Sequence, residues 1–243
     1  MWFKNISKPI IGLAPMFGYS DKTLRLKARS AGADVVYTEM VAAEAIIRDV
    51  KKAWEMCEFD EKERPVVIQI FGNNSASIAK AVKIIDKKFH PDGIDINFGC
   101  PVQKASKQGF GSVLLNDPAQ SAKIIKAAVS ATKIPISIKM RLLSKVVSNT
   151  VNFISIVEKV GVKLVCIHAR TQTQKYGGHA DWELLHKIKA HFPDLIILGN
   201  GDIESLQDLK DKLGNLDGVL VGRAAKRNYG IFRELSKIKR SVR

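Results

Sequence analysis

A cysteine between a glycine and a proline is the residue in this sequence best suited to chemistry. Cys100 lies in the stretch Asn97-Phe98-Gly99-Cys100-Pro101, where the neighbouring residues favour a sharp turn that presents one side chain. A thiol is a nucleophile, and because it is mostly protonated at neutral pH it can also act as a general acid. We therefore expect Cys100 to be catalytic, although a cysteine in a loop is, taken alone, more often structural.

Two glycine-containing turns could bind a phosphate. They are Leu198-Gly199-Asn200-Gly201-Asp202 and Val221-Gly222-Arg223-Ala224. Glycine lets the main chain approach an anion, and N–H groups that precede a helix attract negative charge. Arginine adds a planar pair of donors. The alternative is that both are plain turn glycines.

Cationic and polar side chains alternate with apolar ones in two other segments. Lys139 and Arg141 share one face of an extended segment, and Cys166 and His168 share a face of the next one. Cys166 lies deeper than His168, so we predict a buried core thiol. We predict that Lys139 stabilises negative charge on a ligand; the alternative is an ion pair at the mouth of the core, for instance with Glu39.

Eight short runs rich in β-branched residues alternate with eight helical stretches, which is typical of parallel strands joined by crossovers. The predicted strands are Ile10–Ala14, Val35–Glu39, Val66–Phe71, Gly93–Asn97, Ile134–Met140, Lys163–His168, Leu195–Gly199 and Gly218–Gly222. The helices are predicted to begin near Ser20, Ala42, Ser75, Pro118, Asn149, Asp181, Ile203 and Lys226. Eight such units in 243 residues predict a single-domain (β/α)8 TIM barrel over residues 1–243. A doubly wound open sheet is less suitable because no GxGxxG follows the first strand.

Nearly every predicted strand ends beside a residue with donors or charge. These residues are Pro15 with Met16, Glu39, Gln69, Asn97 with Cys100, Lys139 with Arg141, His168 with Arg170, Asn200 with Asp202, and Gly222 with Arg223. Active sites of such barrels lie at the C-terminal ends of the strands. We therefore expect one polar, net-cationic mouth.

The chain is strongly basic. It carries 39 Lys and Arg against 24 Asp and Glu, a formal net charge of +15. Such a charge attracts polyanions, either nucleic acid or an acidic membrane surface. From Arg223 to Arg243 eight basic residues stand against one acidic residue, Glu234. We predict a basic C-terminal helix (about 223–243) that contacts a polyanion; the alternative is a solvated terminal helix.

Composition limits the class of protein and its compartment. With 46% hydrophobic and 26% charged residues the chain is not of the disordered class. Neither an apolar run of about 18 residues nor a signal-peptide pattern is found, so we predict no membrane association. The three cysteines provide neither a disulfide framework nor a CxxC metal site. Cys57 is predicted to be a packing residue, no metal is predicted, and the expected location is cytoplasmic.

These segments together resemble the tRNA-dihydrouridine synthases, which are FMN-dependent (β/α)8 enzymes. The resemblance extends from about residue 9 to residue 235 in the order of the family. Its most specific parts are residues 97–101, residues 109–115 (Gly-Phe-Gly-Ser-Val-Leu-Leu) and the two glycine turns. The other matching segments are residues 14–21, 37–40, 69–72, 95–96, Lys104, 139–141, 168–171, 176–182, 199–203 and 221–224.

The resemblance implies a role for each matching residue. FMN would be bound by Pro15, Met16, Phe17, Gln69, Lys139, His168, Asn200, Gly201, Asp202, Gly222 and Arg223. Cys100 would be the catalytic proton donor. The residues on the substrate side, or supporting it, would be Asn97, Lys104, Arg141 and Arg170.

The reaction implied by the resemblance is the reduction of the C5=C6 bond of uridine in tRNA to 5,6-dihydrouridine. Reduced FMN, reloaded by NADPH or NADH, would give a hydride to C6, and Cys100 would give a proton to C5. The uridine would have to leave its stack to reach the mouth of a barrel. The implied partner is tRNA.

Two features depart from the pattern of the family. Leu142 and Leu143 follow Arg141 where the family usually has glycine. The sequence also ends soon after the eighth helix, where the family usually continues into a C-terminal helical domain that helps to bind tRNA. Three explanations stay open: a minimal version of the family, a different docking of tRNA, or a partner that supplies the contact. The basic tail is a candidate substitute for the domain. Two other functions stay open: an FMN-barrel oxidoreductase acting on a free pyrimidine or another small molecule, and a non-catalytic barrel that binds RNA.

Overall fold

The strands form because buried apolar runs on both faces suit parallel sheets. The computed structural model describes residues 1–240, apart from the side chains of Lys104, Ser106 and Arg240. Within these residues the strands are β1 Ile10–Leu13, β2 Val35–Tyr37, β3 Val41–Ala42, β4 Val66–Phe71, β5 Gly93–Phe98, β6 Ile136–Leu142, β7 Leu164–Thr171, β8 Ile196–Asn200 and β9 Gly218–Val221.

The strands close into a parallel barrel. The order of neighbours is β2-β1-β9-β8-β7-β6-β5-β4-β3, and a further pairing of β2 with β4 closes the ring. β2 and β3 occupy one position, because β4 pairs first with β2 (Val36 opposite Val66) and then with β3 (Val41 opposite Ile70). The prediction of a (β/α)8 barrel is therefore confirmed, with the second strand split at residues 38–40.

A glycine permits the contact between the first and last strands. Gly218 lies opposite Ile10, and a Cβ at residue 218 would lie 2.0 Å from the main-chain oxygen of Ile10. No real side chain tolerates that distance to main chain. The approach of β9 to β1, which closes the barrel, thus depends on the absence of a side chain.

Helices cover the outside of the barrel. They are α1 Lys22–Ser30, α2 Ala43–Ile47, α3 Lys51–Cys57, α4 Ser75–Phe89, α5 Gln103–Lys107, α6 Pro118–Ala131, α7 Val147–Lys159, α8 Trp182–Ala190, α9 Leu206–Leu213, α10 Arg223–Arg227 and α11 Ile231–Leu235. Short 3-10 helices occur at Trp2–Asn5, Glu61–Glu63, Gly111–Asn116 and Ser236–Arg240. Several starts are fixed by a side chain that accepts a main-chain N–H bond, as with Asp21, Asn74, Asp117, Asp181 and Ser205.

Two apolar layers result from the alternation of side chains along the strands. The inner layer fills the barrel and includes Tyr37, Val67, Cys166 and Leu220, while the larger outer layer packs the strands against the helices. Cys166 is fully buried in the inner layer and Cys57 in the outer one. Burial raises the pKa of each thiol to about 12, so both stay protonated, as packing residues should.

The bounds of several strands differ from the prediction. β6 continues through Arg141 to Leu142, and β7 continues past His168 to Thr171. Their register shifts between Arg141 and Leu142, where Leu142 pairs with Thr171. Leu142 is buried in the outer layer, and the strand reaches it through a bulge.

The predicted basic C-terminal helix is not one continuous helix in the described residues. It is divided into α10, α11 and the 3-10 helix that ends at Arg240, and residues 241–243 lie outside the described residues. The break follows the extended main chain of Asn228 (φ −151°, ψ 102°). Beyond it Ile231, Phe232 and Leu235 pack into the outer layer. One face of this segment therefore belongs to the body of the barrel, while Arg223, Lys226, Arg227, Arg233 and Lys237 are exposed. The contact with a polyanion and the alternative of a solvated terminal helix both stay predictions.

Within residues 1–240, none of the helices combines the length and the apolar character needed to cross a lipid bilayer.

Candidate active site

A cavity of about 560 Å³ opens at the C-terminal ends of the strands, a size typical of small-molecule and cofactor sites. Its lining carries four cationic side chains (Lys139, Arg141, Arg223, Lys226) and two carboxylates (Asp202, Glu204). Predicted residues that line it are Pro15, Met16, Phe17, Gln69, Asn97, Cys100, Lys139, Arg141, His168, Asn200, Gly201, Asp202, Gly222 and Arg223. The strand-end residues thus meet in one net-cationic cavity.

The main chain around Cys100 is held from several sides. Asn97 Oδ1 accepts from the main-chain nitrogens of Gly99 and Cys100, each at 3.0 Å. Arg141 Nε donates to the oxygen of Gly99 at 2.9 Å, and Ser112 donates to the oxygen of Cys100 through Oγ (2.9 Å) and its main-chain nitrogen (3.1 Å). The Cys100 side chain is partly exposed in the cavity wall. A fixed main chain with an accessible thiol is the arrangement that a proton donor needs.

Gln69 and Asn97 stand side by side on the cavity wall. Asn97 Nδ2 donates to Gln69 Oε1 at 2.9 Å, and Gln69 Nε2 donates to Asp95 Oδ2 at 2.8 Å. Ser137 Oγ donates to the other oxygen of Asp95 at 2.6 Å. Burial raises the pKa of Asp95 to about 6, against the hydrogen bonds from Ser137 and Gln69 and the charge of Lys139, which lower it. Asp95 itself does not line the cavity.

Lys139 is directed by an asparagine from a neighbouring part of the barrel. Its Nζ donates to Asn200 Oδ1 at 3.0 Å, while Asn200 Nδ2 donates to the oxygen of Leu220 at 2.7 Å. An ion pair of Lys139 with Glu39 was the alternative. Glu39 instead accepts a hydrogen bond from the main-chain nitrogen of Gly18, so it is not the partner of Lys139. Burial lowers the pKa of Lys139, and nearby Arg141 acts in the same direction. Because the acceptor of the Lys139 Nζ is a neutral amide, no opposing charge lies within this pair.

His168 is a neutral imidazole in this setting. Burial, together with the cations Lys139, Arg141, Arg170 and Arg223, lowers the pKa of His168 to about 2. A neutral ring offers one donor and one acceptor. It can therefore bind an uncharged polar group of a ligand.

Asp202 connects two arginines, one in the cavity lining and one behind it. Arg170 donates to both oxygens of Asp202, at 2.9 and 2.7 Å, and Arg223 donates to Oδ1 at 2.7 Å. Burial acts to raise the pKa of Asp202, but hydrogen bonds from Arg170 and the main chain of Ala180 outweigh it and hold the pKa below its usual range. Arg170 is 3% exposed and does not line the cavity. The structure places it behind Asp202, where it supports the cavity wall.

Arg141 braces two loops while it lines the cavity. Besides its bond to Gly99, its Nη1 donates to the oxygens of Thr171 (3.1 Å) and Lys175 (2.7 Å). Its guanidinium also stands 5.5 Å from the centre of the Tyr176 ring. Arg141 therefore fixes the Cys100 loop relative to the loop after β7.

Some residues of the cavity were missed by sequence reasoning. Tyr19 and Tyr176 are exposed aromatic residues at the rim, Met40 lies near Asn97, and Lys226 stands 3.5 Å from the centre of the Tyr19 ring. Asp95 was missed as a partner of Gln69, although its position two residues before Asn97 on one strand is a signal that could have identified it. The side chain of Lys104, predicted on the substrate side, lies outside the described residues.

The cavity fits a flavin mononucleotide on two observations. At one end Gly222 precedes α10, and a Cβ there would make ordinary van der Waals contact with Met16 Sδ (3.4 Å) and Ala14 Cβ (3.7 Å). Arg223 and Lys226 carry positive charge into the same end, as a phosphate requires. Gln69, Lys139 and His168, which also line the cavity, offer polar groups to the edge of a flat ring.

Comparisons with known proteins agree with this site. The family model described as dihydrouridine synthase (Dus) matches residues 12–243. A probable tRNA-dihydrouridine synthase of Aquifex aeolicus (strain VF5) is 37% identical over 243 residues, covering 98% of this chain and 76% of that protein. One of Rickettsia bellii (strain RML369-C) is 35% identical, covering 88% and 66%, and tRNA-dihydrouridine synthase B of Pseudomonas aeruginosa is 32% identical, covering 92% and 68%.

This chain thus spans about two thirds to three quarters of the length of these relatives. The match includes the Cys100 loop and both glycine turns, which the barrel brings to one cavity. The chain therefore belongs to the dihydrouridine synthase family, whose members are flavin-dependent oxidoreductases.

Proposed function

We propose that this protein is an FMN-dependent tRNA-dihydrouridine synthase, which reduces the C5=C6 bond of uridine in tRNA. The observation that carries the proposal is the position of Cys100, a partly exposed thiol on a fixed main chain in the same cavity as Lys139 and the two glycine turns. Membership of the family and the printed names of the relatives support the same activity.

The proposed binding of FMN divides the cavity. Arg223 and the turns at Gly201 and Gly222 would hold the phosphate, and Pro15, Met16 and Phe17 would border the ring on one side. Gln69, Lys139 and His168 would hydrogen-bond the ring or the ribityl chain. Bound and reduced, the cofactor supplies the hydride that C6 of the uracil accepts.

Lys139 would stabilise negative charge on the reduced ring. Its ammonium is held in place by Asn200 Oδ1, a neutral acceptor, so its charge is not cancelled within the pair. Because a charge acts more strongly in a partly buried site than in water, this position is effective. His168, being neutral, adds polarity without adding charge.

Cys100 would protonate C5. Reduction at C6 places negative charge on the conjugated system of C5, C4 and O4, and a proton on C5 completes the product. The thiol gives this proton and becomes a thiolate, which solvent then protonates. The Cys100 main chain, which donates to Asn97 Oδ1 and accepts from Ser112 Oγ, would fix the direction from which the proton arrives.

The proposed macromolecular partner is tRNA, and the reductant NADPH or NADH. A net charge of +15 attracts an RNA backbone, and flipping a uridine from its stack costs a few kcal/mol, which phosphate contacts can offset. The exposed rim residues Tyr19 and Tyr176 could stack with bases. The three cysteines, none in a disulfide, fit the reducing cytoplasm that we propose as the location.

The experiment that tests the function uses purified protein with FMN, NADPH and unmodified tRNA transcripts. We expect a mass increase of about 2 Da in one uridine-containing fragment, as two hydrogens are added across the bond, and no conversion of free uridine or uracil. Conversion of the free pyrimidines instead would favour the small-molecule oxidoreductase. Binding of tRNA without FMN binding or reduction would favour a non-catalytic RNA-binding barrel.

A further inference from the structure

A buried carboxylate lies beneath the cavity and has no part in the proposed proton transfer. Asp95 is fully buried on β5, two residues before Asn97 and on the same face. Its Oδ1 accepts from Ser137 and its Oδ2 from Gln69. Since a buried charge is costly, a carboxylate kept here is expected to do something for the groups it binds.

Asp95 begins a chain of hydrogen bonds that ends at Cys100. The chain passes from Asp95 Oδ2 to Gln69 Nε2 (2.8 Å), from Gln69 Oε1 to Asn97 Nδ2 (2.9 Å), and from Asn97 Oδ1 to the nitrogen of Cys100 (3.0 Å). Gly99 donates to the same oxygen of Asn97. The chain is continuous from the barrel interior to the loop of the thiol.

The direction of the chain is fixed at both ends. An ionised carboxylate only accepts, so Gln69 must turn its NH2 group towards Asp95 and its oxygen towards Asn97. Main-chain N–H groups only donate, so Asn97 must turn its oxygen towards Gly99 and Cys100 and its NH2 group towards Gln69. The two requirements agree, and neither amide can flip without breaking a buried bond.

This orientation also determines what the cavity wall offers to a ligand. Each amide nitrogen carries two hydrogens, and the hydrogen-bond chain uses one of them. Asn97 Nδ2 also contacts Met40 Sδ at 3.5 Å, whereas Gln69 keeps an N–H group. Both side chains line the cavity, and Asn97 Oδ1 is already engaged by two donors. The wall is thereby suited to carbonyl oxygens, such as those of a flavin or of a uracil.

We propose that Asp95 is a positioning residue which, through Gln69 and Asn97, holds the Cys100 loop and leaves one amide N–H group of Gln69 for the ligand. Its value for catalysis rests on the proposed function, but its effect on the loop does not. The loop can therefore be tested in the protein without substrate.

The test compares Asp95→Leu, Asp95→Asn and Ser137→Ala by the rate at which iodoacetamide alkylates Cys100, followed by peptide mass spectrometry. Leucine at residue 95 removes the acceptor for Gln69 Nε2. Asparagine keeps an oxygen acceptor, but because it also carries an NH2 group it no longer dictates the orientation of the Gln69 amide. Ser137→Ala is the matched control, because it removes the other donor to Asp95 and leaves the hydrogen bonds that run from Asp95 to Cys100 intact. Cys57 and Cys166, both fully buried, report general unfolding in the same samples.

We expect Asp95→Leu to raise the alkylation rate of Cys100 at least about threefold, because a released loop opens more often. Asp95→Asn should fall between Asp95→Leu and wild type, Ser137→Ala should match wild type, and Cys57 and Cys166 should stay protected. Unchanged Cys100 rates in Asp95→Leu, or an equal rise in Ser137→Ala, would overturn the proposal. If Asp95→Leu does not fold, Gln69→Leu interrupts the next link and is judged by the same criterion.

A second measurement concerns the cofactor. Titration of the apoprotein with FMN, followed by quenching of flavin fluorescence, should show affinity weakened about tenfold in Asp95→Leu, partly restored in Asp95→Asn and normal in Ser137→Ala. Equal affinities in all four proteins would exclude any action of Asp95 on the donor wall. Neither readout requires tRNA reduction, so failure of the proposed function and failure of this inference are separate results.

Discussion

The side-chain oxygen of Asn97 lies 3.0 Å from the main-chain nitrogen of Cys100, three residues further along the chain. The same oxygen accepts from Gly99, so the turn that presents the thiol is held by a residue at the end of β5. This short-range contact explains why the Asn-x-Gly-Cys-Pro stretch can present one side chain reproducibly. The position of Cys100, the proposed proton donor, is then fixed through a residue of the strand.

Replacing Cys100 with alanine should separate flavin binding from catalysis. We expect Cys100→Ala to bind FMN like wild type and to lose about 10²- to 10⁴-fold in tRNA reduction, the usual contribution of a general acid. Dihydrouridine is measured by mass spectrometry after single-turnover mixing of reduced protein with tRNA. Cys57→Ala, which removes a buried packing thiol, is the control and should keep its activity. Full turnover by Cys100→Ala would remove Cys100 from the mechanism.

Replacing Arg223 should weaken binding of the FMN phosphate and leave binding of the flavin ring unchanged. Arg223 lines the cavity beside Gly222, and we expect Arg223→Gln to weaken FMN binding about tenfold, since a hydrogen bond to a charged group contributes about 1.5–3 kcal/mol. The affinity for riboflavin, which lacks the phosphate, should not change. Arg233→Gln, an exposed position on α11, serves as control. Equal losses of affinity for FMN and for riboflavin would show that Arg223 does not bind the phosphate.

Lys226 should contribute to the salt dependence of tRNA binding. It is exposed at the rim of the cavity, above the Tyr19 ring. If it contacts one phosphate, Lys226→Gln should reduce the slope of log K against log salt concentration by about one. The slope is measured by filter binding between low and physiological salt, with Lys123→Gln, on the outer helix α6, as the comparison. The same slope in both variants would exclude a phosphate contact by Lys226.

Asp95 should impose a pH dependence on stability. The pKa of its carboxyl is about 6 in the folded protein and 3.8 as the reference value for the unfolded chain. The stability that it contributes is therefore fully present below about pH 4 and is lost as the pH rises through about 6. Asp95→Asn lacks this titration, so its stability relative to wild type should increase from pH 4.5 to pH 7.5.

Urea unfolding of the apoproteins at the two pH values measures this difference. Lys139, Tyr37 and Cys166 also face Asp95, and they are common to both proteins, so their titration contributes equally to a first approximation. A difference for Asp95→Asn that is the same at both pH values would show that the buried carboxyl does not titrate in this range.

Local patterns in the sequence were sufficient for the barrel and for the choice of cavity. β-branched runs and helical stretches alternate, and polar residues follow the runs, so strand number and strand ends could be read directly. The alternation of side chains correctly put Lys139 and Arg141 on one face and buried Cys166 below His168. The departures at Leu142 and at Asn228 were not readable, because a bulge and a helix break depend on what packs against them.

What the sequence determined by itself was the order of the strands, the residues at their ends and the basic charge, since these depend on neighbours along the chain. The tertiary structure decided which strand ends touch. Only the register of the closed barrel brings Gln69 on β4 against Asp95 and Asn97 on β5, and Arg170 against Asp202, which lies 32 residues further on. Those contacts join separate strands, and their geometry is set by closure of the sheet, which no segment of the chain specifies alone.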